Sequence, residues 1–213
     1  MTGCFITLEG GEGSGKSTLQ AGLAARLIEY GIDTITTREP GGTPLAESVR
    51  NLVLHPPAGQ SWSPLAEALL MNTARADHLD QLIRPALSAN KFVVCDRFID
   101  STVAYQSVGA RVATRTLQAL QDIVVETSLP DLTLVLDISW EAARVRISER
   151  NGTSDAFEDR DQTFHHQVRD NFLTIAKQKP ERCVVLDASQ SAELLLDEAW
   201  KLVQARCIKG ASK

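Results

Sequence analysis

Gly10-Gly11-Glu12-Gly13-Ser14-Gly15-Lys16-Ser17 decides the reading of this chain. The stretch satisfies G-x-x-x-x-G-K-[ST] at every fixed position. It follows the apolar run Phe5-Ile6-Thr7-Leu8 and opens a helical pattern, the context a phosphate-binding loop requires. Glycines let successive backbone N–H groups turn toward phosphate oxygens, and the helix N-terminus adds partial positive charge. Lys16 brings a full charge to the β- and γ-phosphates, and the Ser17 hydroxyl can ligate Mg²⁺. Gly10 to Ser17, with Thr18 behind them, are therefore the expected triphosphate-binding residues. A dinucleotide site would need glycine at position 16, where Lys16 stands. Glu12 is out of place among phosphates. It is either a solvated loop charge or an acceptor for a hydroxyl on a second substrate.

Outward from the loop, short apolar runs at 5–8, 33–37, 92–95, 132–138 and 183–186 alternate with helical patterns at 16–30, 44–54, 64–89, 113–127, 140–150, 161–179 and 192–207. Continuous apolar runs suit strands buried on both faces. Alternation of this kind predicts a doubly wound α/β fold: a five-stranded parallel sheet with helices on both faces and right-handed crossovers. The polar stretch 150–161 reads as a short lid within a single domain spanning 1–213.

Composition narrows the classes. The 213 residues are 43% apolar and 23% charged, which excludes a fibrous or wholly disordered chain. A net charge of −5 argues against a general nucleic-acid binder, though a local site can still be basic. No run is long enough for a membrane span and no signal peptide is read, so a cytoplasmic protein is expected. Cys4, Cys95, Cys183 and Cys207 lie far apart without C-x-x-C spacing, so neither a disulfide framework nor a zinc site is expected and the chain reads as reduced.

A second set of residues follows strands two and three. Arg38-Glu39-Pro40-Gly41-Gly42-Thr43 leaves the second strand, at the carboxyl edge where open α/β sheets bind ligands. Asp96-Arg97 closes the third. Ser101, Thr102, Tyr105 and Gln106 lie at spacings that share roughly one face of a helix, and their hydroxyls and amide suit the reading of a base edge.

With those pieces, and Arg75 within the helical run before His78, the sequence resembles the bacterial thymidylate kinase family from Phe5 to about Asp187. The resemblance implies a P-loop NTPase fold and transfer of a phosphoryl group from ATP to dTMP, giving dTDP on the way to dTTP. It implies ATP on Gly10 to Ser17, Mg²⁺ at Ser17 and Asp96, and the dTMP phosphate on Arg38 and Arg97. It implies Glu12 at the sugar 3′-hydroxyl, Arg75 and Gln106 at thymine helped by Ser101 or Thr102, and Tyr105 against the sugar 2′ position. Catalysis would fall to Lys16, Arg97, Asp96 and a lid arginine. The family usually forms a homodimer, with no nucleic-acid or membrane partner. Two positions depart from its pattern: Met71 replaces a stacking Phe, and Asp155-Ala156-Phe157-Glu158 lacks the usual lid Arg. With Gly13 in the loop where some members carry Arg, Arg150 becomes the expected finger, with Arg146 and Arg160 as alternatives.

His165 and His166 have no carboxylate at ligand spacing and read as a helix at the core edge, while His78 either lines the pocket or packs. A GTPase switch would need N-K-x-D, and Asn90-Lys91-Phe92-Val93 lacks the Asp. An ATPase working on protein or DNA partners fits poorly with the acidic balance and the base-reading face.

Overall fold

The computed structural model describes residues 2–108, 111–149 and 160–208. Five parallel strands, β1 (Cys4–Glu9), β2 (Thr34–Arg38), β3 (Phe92–Asp96), β4 (Leu132–Asp137) and β5 (Cys183–Asp187), pair in the order β2-β3-β1-β4-β5. β1 is central, with Ile6 beside both Val94 of β3 and Leu132 of β4. All six of its residues are buried, whereas edge strands β2 and β5 are partly open. Strand geometry sends alternate side chains to opposite faces. Cys4, Ile6 and Leu8 accordingly join a core with Leu19, Leu23 and Leu27 of α1 (Lys16–Glu29) and Leu195, Ala199 and Val203 of α9 (Ala192–Val203). Phe5 faces the other way, onto Leu79, Ile83, Phe98 and Ile99. Glu9 shares that second face, which places its carboxylate beneath the helix after β3.

The remaining helices are α2 (Pro44–Leu54), α3 (Pro64–His78), α4 (Arg84–Ser88), α5 (Ile99–Gln106), α6 (Thr114–Val125), α7 (Trp140–Ser148) and α8 (Gln162–Gln178). Thr43 and Ser63 cap α2 and α3 through their hydroxyls, each followed by a proline in the first turn. The pattern at 64–89 is not one helix. A π-helical turn, Leu79–Ile83, separates α3 from α4. Pro85 explains the break, because its ring cannot offer an N–H and would crowd the carbonyl four residues back in a regular helix. A similar turn, Gln204–Ile208, follows α9.

One expectation is corrected. The chain does not keep all four thiols apart: Cys4 and Cys207 are joined in a disulfide, their Cα atoms 5.9 Å apart. The pair is 203 residues apart in sequence and meets only because α9 and the turn after it lie on the sheet beside the start of β1. Cys95 and Cys183 are free and buried. Among the described residues, no helix is long and apolar enough to cross a membrane.

Candidate active site

A cavity of about 240 Å³ opens at the carboxyl edge of the sheet, between the loop after β1 and the ends of β2 and β3. Its walls come from the phosphate loop, from Arg38 to Pro40, and from α2, α3 and α5. The loop reaches its shape through backbone conformations that side chains resist. Gly13 sits at φ 70°, and a Cβ there would lie 2.7 Å from the Ala143 carbonyl oxygen of α7. Gly15, at φ 92°, starts α1 in the left-handed region. Lys16 folds back over the loop, donating to the carbonyls of Gly10 (3.1 Å) and Gly11 (2.8 Å) and to Ser14 Oγ (3.3 Å). Burial, and then the charge of Arg97, lower its pKa to about 8, against the pull of Asp96, Glu12 and Glu9. A phosphate would compete with the loop carbonyls for the same three hydrogens.

Ser17 Oγ donates to Asp96 Oδ2 at 3.1 Å. The other carboxylate oxygen, Oδ1, is buried with no hydrogen-bond partner among the described residues. A carboxylate left with an unmatched oxygen is costly without a partner. A hard cation bound through oxygen ligands and waters would supply one, so Mg²⁺ fits Ser17 and Asp96. No group of three or more His, Cys, Asp or Glu side chains able to hold a metal by themselves occurs among the described residues.

Arg97 stands between the loop and α5 with its backbone at φ 67°, a region costly for a side chain this size. Its N–H to Leu8 O (2.9 Å) and its Nη1 contacts to Gly10 O (2.8 Å) and Ser101 Oγ (3.2 Å) hold it there. Nη2 meets Glu12 Oε1 at 2.6 Å, and the guanidinium lies over the Tyr105 ring at 5.1 Å. Tyr105 Oη also donates to Glu12, at 3.1 Å. Glu12 is thus a partly buried acceptor facing the cavity. Burial pushes its carboxyl up, but Arg97 first, then Lys16 and Tyr105, hold it down at about 2. Beneath this group, Glu9 accepts from Phe98 N (2.9 Å), Ser101 N (3.3 Å) and Ser101 Oγ (2.6 Å), capping α5 from a different element. Burial, then Asp100, raise it to about 7 against Ser101.

At the far end, Arg75 is 2% exposed yet still lines the cavity. Nε donates to Glu39 (2.8 Å), Nη2 to Phe98 O (3.1 Å) and Thr102 Oγ1 (3.0 Å), and Nη1 to Asn72 Oδ1 (3.3 Å). One of the five guanidinium hydrogens remains without a partner among the described residues. Glu39 also bonds His78 Nδ1 at 3.1 Å, and His78 Nε2 meets Thr37 Oγ1 at 2.7 Å, so His78 packs and does not line the cavity. Gln106 Nε2 donates to Glu67 at 3.4 Å. Met71 lines the same wall.

Arg38 is at the cavity mouth in a bidentate contact with Glu47 (3.1 Å), which also accepts from Gly42 N. Arg50 lines the cavity beside it, reaching Pro40 O at 2.9 Å. Sequence reasoning missed Arg50. The signal was its place two turns into the helix capped by Thr43, one turn after Glu47. It also missed Glu9, Glu39 and Glu67, whose partners lie 36 to 92 positions away in sequence and which carry no motif. Of the lid cations, Arg160 contacts Glu67 at 3.4 Å and lies over Phe164, and Arg146 lines a second cavity with Gly15, Thr18 and Gln190. Arg150 and most of the expected lid, including Asp155 to Glu158, fall outside the described residues. His165 is buried against Trp140, rings stacked at 3.8 Å, the core-edge position expected of it.

Comparison with known proteins adds a family. A model of the family described as thymidylate kinase matches residues 8–199. The thymidylate kinase of Pseudomonas putida is 49% identical over 193 residues, 91% of each chain. That of Caulobacter vibrioides is 46% identical over 186 residues, 87% of this chain and 88% of its own. The crystal structure of thymidylate kinase from Ehrlichia chaffeensis superposes with a TM-score of 0.78 at 37% identity, covering 96% of this chain and 99% of that one.

Proposed function

Because the chain belongs to the thymidylate kinase family, we propose that it transfers the γ-phosphoryl group of ATP to dTMP, giving dTDP, with Mg²⁺ bound at Ser17 and Asp96. One observation carries the reading beyond the family. A single cavity has a phosphate loop at one end and, at the other, one spare donor on Arg75 and one spare acceptor on Gln106. An N–H donor beside a carbonyl acceptor on one ring edge, as on thymine, is the complement of that pair.

The chemistry follows from charge. Two anions must meet in line, and negative charge spreads over the moving phosphoryl oxygens, so catalysis is positioning and fixed positive charge. Gly10 to Ser17 with Thr18 hold the ATP phosphates, and Lys16 supplies charge at the donor. Mg²⁺, when bound, neutralises phosphate oxygens and orients them. Arg38, Arg50 and Arg97 hold the dTMP phosphate. Arg97, fixed by Gly10 and Glu12, faces the acceptor without reorganising. Glu12 takes the sugar 3′-hydroxyl. Ser101 and Thr102 keep Arg97 and Arg75 in place, Tyr105 fills the space at the sugar 2′ position, and Met71 covers the base with its polarizable sulfur. Asp96, with Ser17, would hold Mg²⁺, or would serve by orienting Arg97, and Arg150 delivers the finger charge. The same reading carries a cytoplasmic homodimer. Its dimer face is supported by exposed Leu45 and Leu52 on α2 and Leu65 and Leu69 on α3, and sedimentation of the purified chain tests it.

A coupled ADP-release assay over dTMP, dUMP, dCMP, dGMP, AMP and thymidine tests the reading. dTMP should lead, with dUMP a poorer substrate by about 10- to 200-fold, the value of one methyl in a pocket. Equal rates for dUMP and dTMP remove the thymine assignment, and ADP release without an acceptor favours an ATPase.

A further inference from the structure

We propose that Glu67 is a positioning residue that sets the hydrogen-bond polarity of the base pocket, by fixing which end of the Gln106 amide faces the base. The inference rests on the reading of this cavity as the dTMP site.

An amide side chain has a donating and an accepting end of nearly equal size, and only its surroundings choose between them. Gln106 is 3% exposed, on the last turn of α5. Behind it, away from the cavity lining, stands Glu67 of α3, 8% exposed. An ionised carboxylate only accepts. It therefore draws Gln106 Nε2 toward itself, at 3.4 Å, and leaves Oε1 for the cavity, with no partner among the described residues. Arg160 Nη2, 3.4 Å from the other Glu67 oxygen, keeps this acceptor ionised in a buried place. Burial leaves the Glu67 carboxyl above its ordinary value, and Gln106 and then Arg160 offset part of that rise.

The consequence is selectivity. Arg75 can only donate. With Gln106 held as an acceptor, the pocket matches a ring nitrogen bearing hydrogen beside a carbonyl. Cytosine presents the reverse, an unprotonated ring nitrogen beside an amino group, and would leave both protein groups facing like partners. Without Glu67, Gln106 alone can turn over, and half of that rejection is lost. Neither Glu67 nor Arg160 lines the cavity, so their effect on the choice of base passes through Gln106.

The test measures kcat and KM for dTMP and dCMP in the whole chain carrying Glu67→Gln, whose amide can donate or accept. The ratio of kcat/KM for dTMP over dCMP should fall about tenfold, the value of one hydrogen bond to a buried polar group, and the change should lie mainly in KM. In a chain already carrying Gln106→Ala, adding Glu67→Gln should leave that ratio unmoved. Arg160→Ala should narrow the ratio in the same direction and by less. An unchanged ratio in Glu67→Gln, or an equal drop with and without Gln106, overturns the proposal. If Glu67→Gln does not fold, Arg160→Ala decides, and an unchanged ratio there overturns it. The wild-type chain separates the two ideas: a preference for an acceptor other than dTMP defeats the functional reading, whatever Glu67 does.

Discussion

The two ends of the cavity are built on opposite principles. The phosphate end is eight consecutive residues, and its donors are loop amides, a helix terminus and one lysine. The end proposed for the base is assembled from α3, α5 and the ends of β2 and β3. It is held by a buried ion pair, Arg75 with Glu39 at 2.8 Å, and by amide and hydroxyl contacts across 23 to 39 positions. Backbone dipoles come with the fold and resist substitution. Desolvated side-chain pairs are different: removing one partner strands the other, at a cost of about 3–5 kcal/mol. Changes at the phosphate end should therefore alter turnover with the fold intact, and changes at the base end should alter stability and selectivity together.

That contrast can be broken in several places. Lys16→Ala should abolish turnover, a loss of about 10³-fold or more in kcat, with the thermal midpoint nearly unchanged; a large drop in the midpoint would erase the distinction. Arg75→Ala should instead lower stability by about 3–5 kcal/mol in urea titration, because Glu39 is left buried beside His78, and should weaken base selectivity with it. Arg150→Ala should lower kcat about 100-fold with little change in dTMP affinity, and an unchanged kcat shifts the finger to Arg146 or Arg160. Glu12→Gln should raise KM for dTMP about tenfold and KM for ATP less. The opposite pattern returns Glu12 to the role of a loop charge.

Titration gives the smallest and most pointed test. Lys16 has a pKa of about 8, so kcat/KM for ATP, which reports the free enzyme, should fall as pH rises through 8. Unfolding does not explain such a fall. Lys16 titrates at 10.5 when unperturbed, so between 8 and 10.5 the unfolded chain holds more protons and this group's contribution to stability rises with pH. Glu12 behaves oppositely at the acid end. Its carboxyl is held near 2 against an ordinary 4.5, so the stability it contributes is present above 4.5 and is lost as pH falls toward 2. Glu12→Gln should flatten that limb in a chemical-denaturation series.

Legibility followed the same division. All five strands and the phosphate loop were readable because apolar runs and glycine spacing are local. So was the hydroxyl face of α5, where Thr102, Tyr105 and Gln106 are buried together. The helical run at 64–89 reads as one uniform helix because periodicity persists through a π-helical turn that only Pro85 marks. Glu9, Glu39 and Glu67 were illegible for a physical reason. A buried carboxylate is useful only beside its partner, and the partners are fixed by strand order, not by spacing. Arg75 was named for the base, yet most of its donors are spent on the protein. The bond between Cys4 and Cys207 likewise depends on where the two chain ends come to rest.

The tight seat of Gly13 against α7 reaches beyond the loop itself. With the Ala143 carbonyl and the Ile147 side chain at the distances a first side-chain carbon would need, the loop cannot grow a cation of its own at this point. On the proposed reading, any positive charge at the transferring phosphates beyond that of Lys16 would then have to be supplied by a different stretch of chain.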